Sequence, residues 1–255
     1  MVKLSIIIPA YNEEKRIART LYEYNKFFSK TLKDFEIIVV LNGCKDNTLN
    51  VVKKFKRKKV KYLNFKEAIG KGGAIIKGFK FAKGELIGFV DADISTLPEH
   101  FYDLVVNIKN YDGIIASRWI KGSKVYPKQS ILRRIAGKSF NMLMKVLFFM
   151  PYNDTQTGAK LFKKYAIKTT LNDIGTTKWA FDVDLLYNLR KNKFKIREIP
   201  TVWRDNPGSQ LKIFKAIPEM FLGLIRLRLL YSNFNFVVKA YDALPEWLKI
   251  HHKIL

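Results

Sequence analysis

The sequence predicts an α/β fold, a mainly parallel sheet with helices on both faces. Two observations carry that prediction. Short apolar, β-like runs alternate with helix-length segments as far as Arg118, the order of repeated βαβ units. One of these runs, Leu86 to Val90, stops at Asp91-Ala92-Asp93. Carboxylates at i and i+2 on a strand share a face. At a strand end they belong at the carboxyl edge of a sheet, where open α/β folds bind ligands.

The elements follow in order. Strands are expected near 3–8, 35–41, 60–64, 85–90 and 112–117, with helices near 13–28, 46–57, 72–83 and 98–109. Lys3-Leu-Ser-Ile-Ile-Ile-Pro9 is a β-run, and Tyr11-Asn-Glu-Glu14 turns it into an acidic helix start. Phe35 to Leu41 is the second run, closed by the polar turn Asn42-Gly-Cys-Lys-Asp-Asn-Thr48. In that turn Asp46 either serves a ligand or caps the next helix. Gly70-Lys-Gly-Gly-Ala74 puts Lys71 and bare backbone amides at a helix start, a ready anion site, although it lacks the full spacing of a Walker loop. Pro98 suits the first turn of the fourth helix.

After Arg118 the rhythm changes. A polar loop, Trp119 to Ser130, leads to an apolar helix studded with basic residues over 131–150. A short strand near 159–163, a helix near 179–191 and a strand near 195–202 precede a second such helix over 211–231. With no repeat, low-complexity linker or composition boundary, residues 1–255 are read as one domain with membrane-proximal segments at about 131–150 and 211–231.

Composition narrows the partners. The 255 residues, 48% hydrophobic, suffice for a sizeable core. Cys44 is the only cysteine, which rules out an intrachain disulfide and suits a reducing, cytosolic setting. Forty-seven basic residues against 22 acidic ones give a net charge of +25, which calls for an anionic partner. No zinc-ligand spacing, base-stacking motif or basic-zipper pattern supports nucleic acid, leaving phosphorylated substrates and an anionic membrane surface. The dense run Lys53 to Lys59 reads as a solvated face.

No uninterrupted apolar stretch reaches the ~20 residues that span a bilayer, and the charged N-terminal run reads as a β-strand rather than a signal peptide. The two basic, apolar segments instead have the character of helices lying in a membrane interface, with Phe148, Phe149, Phe221 and Leu222 as expected lipid contacts. Packing on the domain or on a second subunit is the competing reading. The expected location is peripheral, on the cytoplasmic face of a membrane.

Asp91 and Asp93 have two readings as well. Either they meet a hard divalent ion, or the strand ends in an Asx turn needing no ligand. Their company bears on the choice. Ile8-Pro-Ala-Tyr-Asn-Glu13, the turn at 42–48, Gly70 to Ala74 and Asp91-Ala-Asp93, in this order, resemble the inverting family 2 glycosyltransferases of the GT-A fold. In the second half, Asn153-Asp-Thr-Gln-Thr-Gly-Ala-Lys-Leu-Phe162, Lys178 to Tyr187, Gly208-Ser209 and Ile225-Arg-Leu-Arg228 resemble the dolichyl-phosphate β-glucosyltransferases. The dolichyl-phosphate mannose synthases match more loosely.

The resemblance implies transfer of a sugar from a nucleotide-sugar to dolichyl or another polyprenyl phosphate, with Mg²⁺ or Mn²⁺ held by Asp91 and Asp93. UDP-glucose is the favoured donor; UDP-N-acetylglucosamine and GDP-mannose stay open. It assigns the nucleotide-sugar to Pro9, Tyr11, Glu13, Val39, Asn42, Lys71, Asp91, Ala92, Asp93, Asp154 and Gln156. It assigns the acceptor phosphate to Arg118, Arg133 and Lys212. Asp93, Arg118 and Arg133 are the expected catalytic residues, with Arg134 an alternative to Arg133.

Departures from the pattern are Ser95 where mannose synthases carry a metal-binding Gln, Leu41-Asn42 in place of an acidic pair, and Gln210 in place of a Lys. Asp182 matches a motif position but equally suits a contact with Trp203 or Arg204.

A phosphate acceptor would also explain an absence. A sugar hydroxyl needs a general base, whereas a phosphate monoester with a second pKa of about 6 is already largely ionised at neutrality. Only three histidines are present, two of them in the terminal tail. Transfer to a hydroxyl acceptor and a non-enzymatic nucleic-acid binder are the alternatives.

Overall fold

The computed structural model describes residues 2–55, 59–127, 131–175, 180–204 and 213–245, without the side chains of 132, 133 and 213–220. Its first half is a run of βα units: β1 (Leu4–Ala10), α1 (Ile17–Thr31), β2 (Phe35–Asn42), α2 (Thr48–Lys54), β3 (Val60–Phe65), α3 (Gly70–Phe81), β4 (Leu86–Phe89), α4 (Pro98–Asn107) and β5 (Gly113–Ser117). The second half is less regular: β6 (Lys124–Tyr126), α5 (Ile131–Phe148), β7 (Lys160–Lys163), α6 (Lys164–Thr170), α7 (Phe181–Lys191), β8 (Ile196–Pro200), β9 (Val202–Arg204), α8 (Ile213–Leu230) and α9 (Asn235–Ala243).

Among the described residues the main sheet has seven strands in the order β3-β2-β1-β4-β7-β5-β8. β1 lies parallel to β2 and β4, and β5 lies parallel to β8. β7 runs antiparallel to both its neighbours, β4 and β5. The chain winds from β1 out to β3, then returns through α3 to β4 on the other side of β1. The carboxyl ends of β1 and β4 therefore flank the point where strand order reverses, the crevice in which such sheets take ligands.

Alternation along the central strands feeds two cores, one on each face. Ile6 and Ile8 join Tyr24, Phe28, Phe101 and Leu104, whereas Ile7 joins Phe79, Phe89, Phe162 and Phe181. The expected α/β class with a mainly parallel sheet is what the molecule adopts.

Four details differ from the sequence reading. β6 forms inside the expected polar loop, paired in parallel with β9 in a separate small sheet. The single strand expected over 195–202 is two, β8 and β9: Pro200 closes the pairing with β5, and Trp203 makes an isolated bridge with Thr96. α6 and α9 were not expected. α6 is a short segment held by burial of Ala166, Ile167 and Thr170 rather than by helix propensity. In α9 only Val238 is buried, a thin apolar face to read from sequence.

Candidate active site

The crevice is built from the residues that follow β1, β2 and β4. After β1, Pro9 is half-buried, Tyr11 is exposed, and Asn12 adopts a left-handed backbone with φ of 54°. Its Oδ1 accepts a hydrogen bond from the Lys45 amide at 2.8 Å, tying this loop to the one after β2. The Glu13 amide donates to Thr48 Oγ1 at 2.8 Å, and its carboxylate grips Arg16 through two bonds of 2.7 and 2.6 Å. Burial pushes the Glu13 carboxyl up; Arg16 opposes this, while Asp93 and Asp91 add to it. Asp46 accepts from the amides of Thr48 and Glu14. These bonds make an Asx-type turn that joins the two loops; the N-cap of α2 is Asn47, and no side chain caps it.

At the end of β2, Asn42 is buried and its Oδ1 accepts the Ile69 amide at 2.6 Å. That bond latches the loop that leads into α3. Gly43 has a φ of +66°, and a Cβ there would lie 2.7 Å from the Ala68 nitrogen, so this turn requires glycine. Val39 does not join the crevice: it is fully buried in the core on one face of β2. Lys71 stands in the first turn of α3 with its Nζ 2.6 Å from Asp91 Oδ1. Burial works to lower the Lys71 ammonium, yet Asp91, Asp182 and Asp93 together hold it above its ordinary value.

Asp91 and Asp93 follow β4 as expected, with Ala92 buried between them. Burial raises both carboxyls. For Asp91 the cations Lys71, Lys160 and Arg118 outweigh it, leaving that carboxyl below its ordinary value. For Asp93 the Asp91 charge adds to burial and the carboxyl stays raised. Ser95, the departure from the metal-binding Gln, orients Asp93: its amide and Oγ both donate to Asp93 Oδ1, at 2.9 and 2.6 Å. The other oxygen, Oδ2, lies 4.0 Å from Arg16.

Residues 5–171 match the model of Glycosyl transferase family 2. The chain belongs to that family. It is 34% identical over 243 residues to dolichyl-phosphate beta-glucosyltransferase ALG5D of Trichomonas vaginalis, covering 90% of this chain and 74% of that one. The human dolichyl-phosphate beta-glucosyltransferase is 33% identical over 245 residues, covering 90% of this chain and 76% of its own length. Among solved structures, a Mycobacterium tuberculosis glucosyl-3-phosphoglycerate synthase in complex with Mn²⁺, UDP and glucosyl-3-phosphoglycerate superposes with a TM-score of 0.65. Its identity is 16%, over 89% of this chain and 80% of that one, a likeness of fold.

In this glycosyltransferase a second wall of the crevice comes from β5 and the segment before β7. Arg118 is clamped by Asp154: its backbone amide and Nε donate to Oδ2 at 2.9 and 2.7 Å, and Nη2 to Oδ1 at 2.9 Å. Asp154 is fully buried, so its oxygens are spent on Arg118 rather than turned toward a sugar hydroxyl. Glu198 on β8 fixes the turn by accepting the amides of Asn153 and Asp154. The guanidinium lies 5.1 Å from the ring centre of Trp203 and 5.8 Å from that of Trp119, within cation–π range of both. Gln156 is half-buried close by in sequence, and its Nε2 has no hydrogen-bond partner among the described residues.

Asp182 meets neither Trp203 nor Arg204. It takes a hydrogen bond from Lys160 Nζ at 2.5 Å, an ion pair the sequence reading did not foresee. Arg133 lies on α5, but its side chain is outside the described residues, as are Lys212, Gly208, Ser209 and Gln210 altogether. Arg16, Lys160 and Glu198 were missed by sequence reasoning. For Arg16 the i, i+3 spacing from Glu13 was a usable signal. For Lys160 the signal was a charged residue opening an apolar β-run.

A metal suits this geometry in one way. Among the described residues no group of three His, Cys, Asp or Glu side chains forms a ready-made metal cage. The two hard carboxylates Asp91 and Asp93 instead match the arrangement in which Mg²⁺ takes one or two protein oxygens and completes its shell with substrate phosphates and water.

Proposed function

We propose that this glycosyltransferase moves glucose from UDP-glucose to a dolichyl-type polyprenyl phosphate, with inversion, at an anionic membrane surface. The observation that carries the reading is the match, at 31–34% identity over most of the chain, to relatives named dolichyl-phosphate beta-glucosyltransferase. The carboxylates at the switch point and a crevice wall presenting Arg118 support it.

The chemistry divides between the two walls. The bond from the anomeric carbon to the diphosphate oxygen breaks as a bond to the acceptor phosphate oxygen forms on the opposite face. Departure of a nucleoside diphosphate needs positive charge rather than a proton, which bound Mg²⁺ or Mn²⁺ supplies. Asp91 and Asp93 would hold that ion. Lys71, at Asp91, is placed to meet the same diphosphate, and Pro9, Tyr11, Glu13 and Asn42 flank the nucleotide end. Asp154 positions Arg118, and Arg118 with Arg133 and Lys212 offsets the repulsion between two phosphorylated reactants. Gln156, with an unused amide donor, faces the sugar. No general base is required, because the acceptor arrives ionised.

The test is a panel of labelled nucleotide-sugars incubated with polyprenyl phosphate and Mg²⁺. Label from UDP-glucose is expected in the lipid phase. Label transferred only to water-soluble or polysaccharide hydroxyls would overturn the acceptor, and preference for another nucleotide-sugar would overturn the donor.

A further inference from the structure

Lys160 is fully buried, behind the groups that meet the donor and the acceptor in the proposed reaction. It opens β7 and stands in register with Phe89, the last residue of β4, two residues before Asp91. Its Nζ donates to Asp182 Oδ1 at 2.5 Å and to the Thr157 carbonyl at 2.6 Å, and lies 5.1 Å from the centre of the Phe89 ring. An ion pair this deep is a poor way to gain stability, since well-packed apolar residues of similar volume often do as well or better. Its neighbourhood offers another reason for it. Gly158, between Thr157 and Lys160, presses on the Asp91 carboxylate so closely that a Cβ there would lie 1.9 Å from Oδ2. One side of Asp91 is thus held by Lys71 and the other by the backbone that Lys160 anchors.

We infer that Lys160 is a positioning residue for the donor site: paired with Asp182 and bonded to Thr157, it fixes the 157–158 segment against Asp91 and keeps a buried, Asp182-paired ammonium near it. Lys71 is partly exposed and belongs to the crevice, so it is the counter-ion that can exchange when a diphosphate arrives. Lys160 is the one that stays. Asp182, on α7, is the strut that keeps the ammonium from turning toward Asp91 and neutralising it by direct contact. This inference rests on the proposed donor site, but the fixed segment itself is a property of the empty protein.

The decisive variants are Lys160→Met and the double substitution Lys160→Met/Asp182→Leu. The single variant leaves Asp182 buried without its cation and is expected to unfold at a lower temperature. The double variant replaces the pair by apolar side chains and is expected to melt near the wild type. Two measurements on the double variant then test positioning. In its ligand-free crystal structure the 157–158 segment should withdraw from Asp91, and the Asp91–Lys71 contact should lengthen.

In calorimetry with UDP and Mn²⁺ its affinity should fall at least about tenfold, while KM for polyprenyl phosphate changes little. Retention of the wild-type Asp91 position together with wild-type UDP·Mn²⁺ affinity would reduce the pair to a structural element and overturn the inference. If the wild type itself gives no heat with UDP and Mn²⁺, the donor assignment falls, and the crystal structure still decides whether Lys160 holds the segment. Should the double variant fail to fold, Lys160→Arg, which keeps the charge and a donor to Asp182, replaces it: donor affinity close to wild type is expected, and a folded variant that loses about tenfold or more overturns the inference.

Discussion

Arg118 and Asp154 divide one task between a residue that faces the crevice and one that does not. The bidentate clamp spends two of the guanidinium's donors on a buried carboxylate and so fixes the plane of the fork. Removing Arg118 outright would leave Asp154 buried and unpaired, at a cost of about 3–5 kcal/mol in stability. Arg118→Ala would therefore confuse folding with catalysis.

Arg133→Ala is the cleaner probe of the acceptor: a lost charged contact of about 1.5–3 kcal/mol predicts a ten- to hundredfold rise in KM for polyprenyl phosphate. Donor affinity, read by calorimetry, should change little, and Arg133→Lys should recover only part of the loss. Equal damage to nucleotide binding would move Arg133 to the donor side. Asp93→Asn addresses the metal. It should lower kcat by about a hundredfold or more while leaving the thermal midpoint near wild type, because it removes charge from an already crowded acidic pair. A variant that keeps full activity in excess chelator would sink the metal assignment.

At the scale of elements, β1, β2 and β4 were legible because each is an apolar run stopped by polar residues, and the site motifs sit at those stops. The reversal of β7 was not legible. Its four residues, Lys160 to Lys163, carry no mark of direction, and it is pairing with β4 and β5 that fixes it as antiparallel. Asp154 was legible as a site residue but not in its role, since nothing in the motif states that Arg118 lies across from it. The clamp joins residues 36 positions apart.

A similar long-range lock ties the amino ends of the strands. Buried Glu36 on β2 accepts from Ser5 Oγ on β1 at 2.7 Å, from Lys61 Nζ on β3 at 2.8 Å and from the Lys83 amide before β4 at 2.8 Å. Burial alone would raise this carboxyl, but Lys61, Ser5 and the Lys83 amide hold it below its ordinary value of 4.5. A depressed carboxylate contributes stability that is fully present above the unfolded value and is lost as pH falls through the folded one. Urea unfolding should therefore show wild type ahead of Glu36→Gln by about 1–3 kcal/mol at pH 7. The gap should close progressively below pH 4.5. A gap that persists unchanged at pH 3 would show that the lock does not depend on the carboxylate's charge.

The molecule as a whole presents two surfaces that water alone does not explain: a net charge of +25 and a band of exposed apolar side chains. Ile135, Met142 and Val146 are exposed along α5 and Phe149 just beyond its end, while Phe221, Leu222 and Ile225 are exposed on α8. α8 contacts both α5 and α9, and α9 adds Phe236 and Val237. Among the described residues no single helix is long and apolar enough to cross a membrane; only the pair 221–230 and 235–243, bent by 114°, meets the length and composition required. Phe148, expected on the lipid side, is buried against Tyr187 in the core, whereas its neighbour Phe149 points outward.

An interfacial reading accounts for both surfaces at once, because apolar side chains enter the acyl boundary while Lys and Arg meet anionic headgroups. Substitution of Met142, Val146, Phe149, Phe221 and Leu222 by Ser or Gln tests it. Binding to vesicles of mixed neutral and anionic phospholipid should fall at least about tenfold, since each side chain withdrawn from the interface forfeits roughly 1 kcal/mol or more. Wild-type binding should weaken with added salt, because the electrostatic share is screened over about 10 Å at 0.1 M. UDP affinity should not change, as none of these side chains belongs to the proposed donor site. If the variant sediments with vesicles as the wild type does but elutes as a smaller species in gel filtration, the band is instead where two copies of the chain meet.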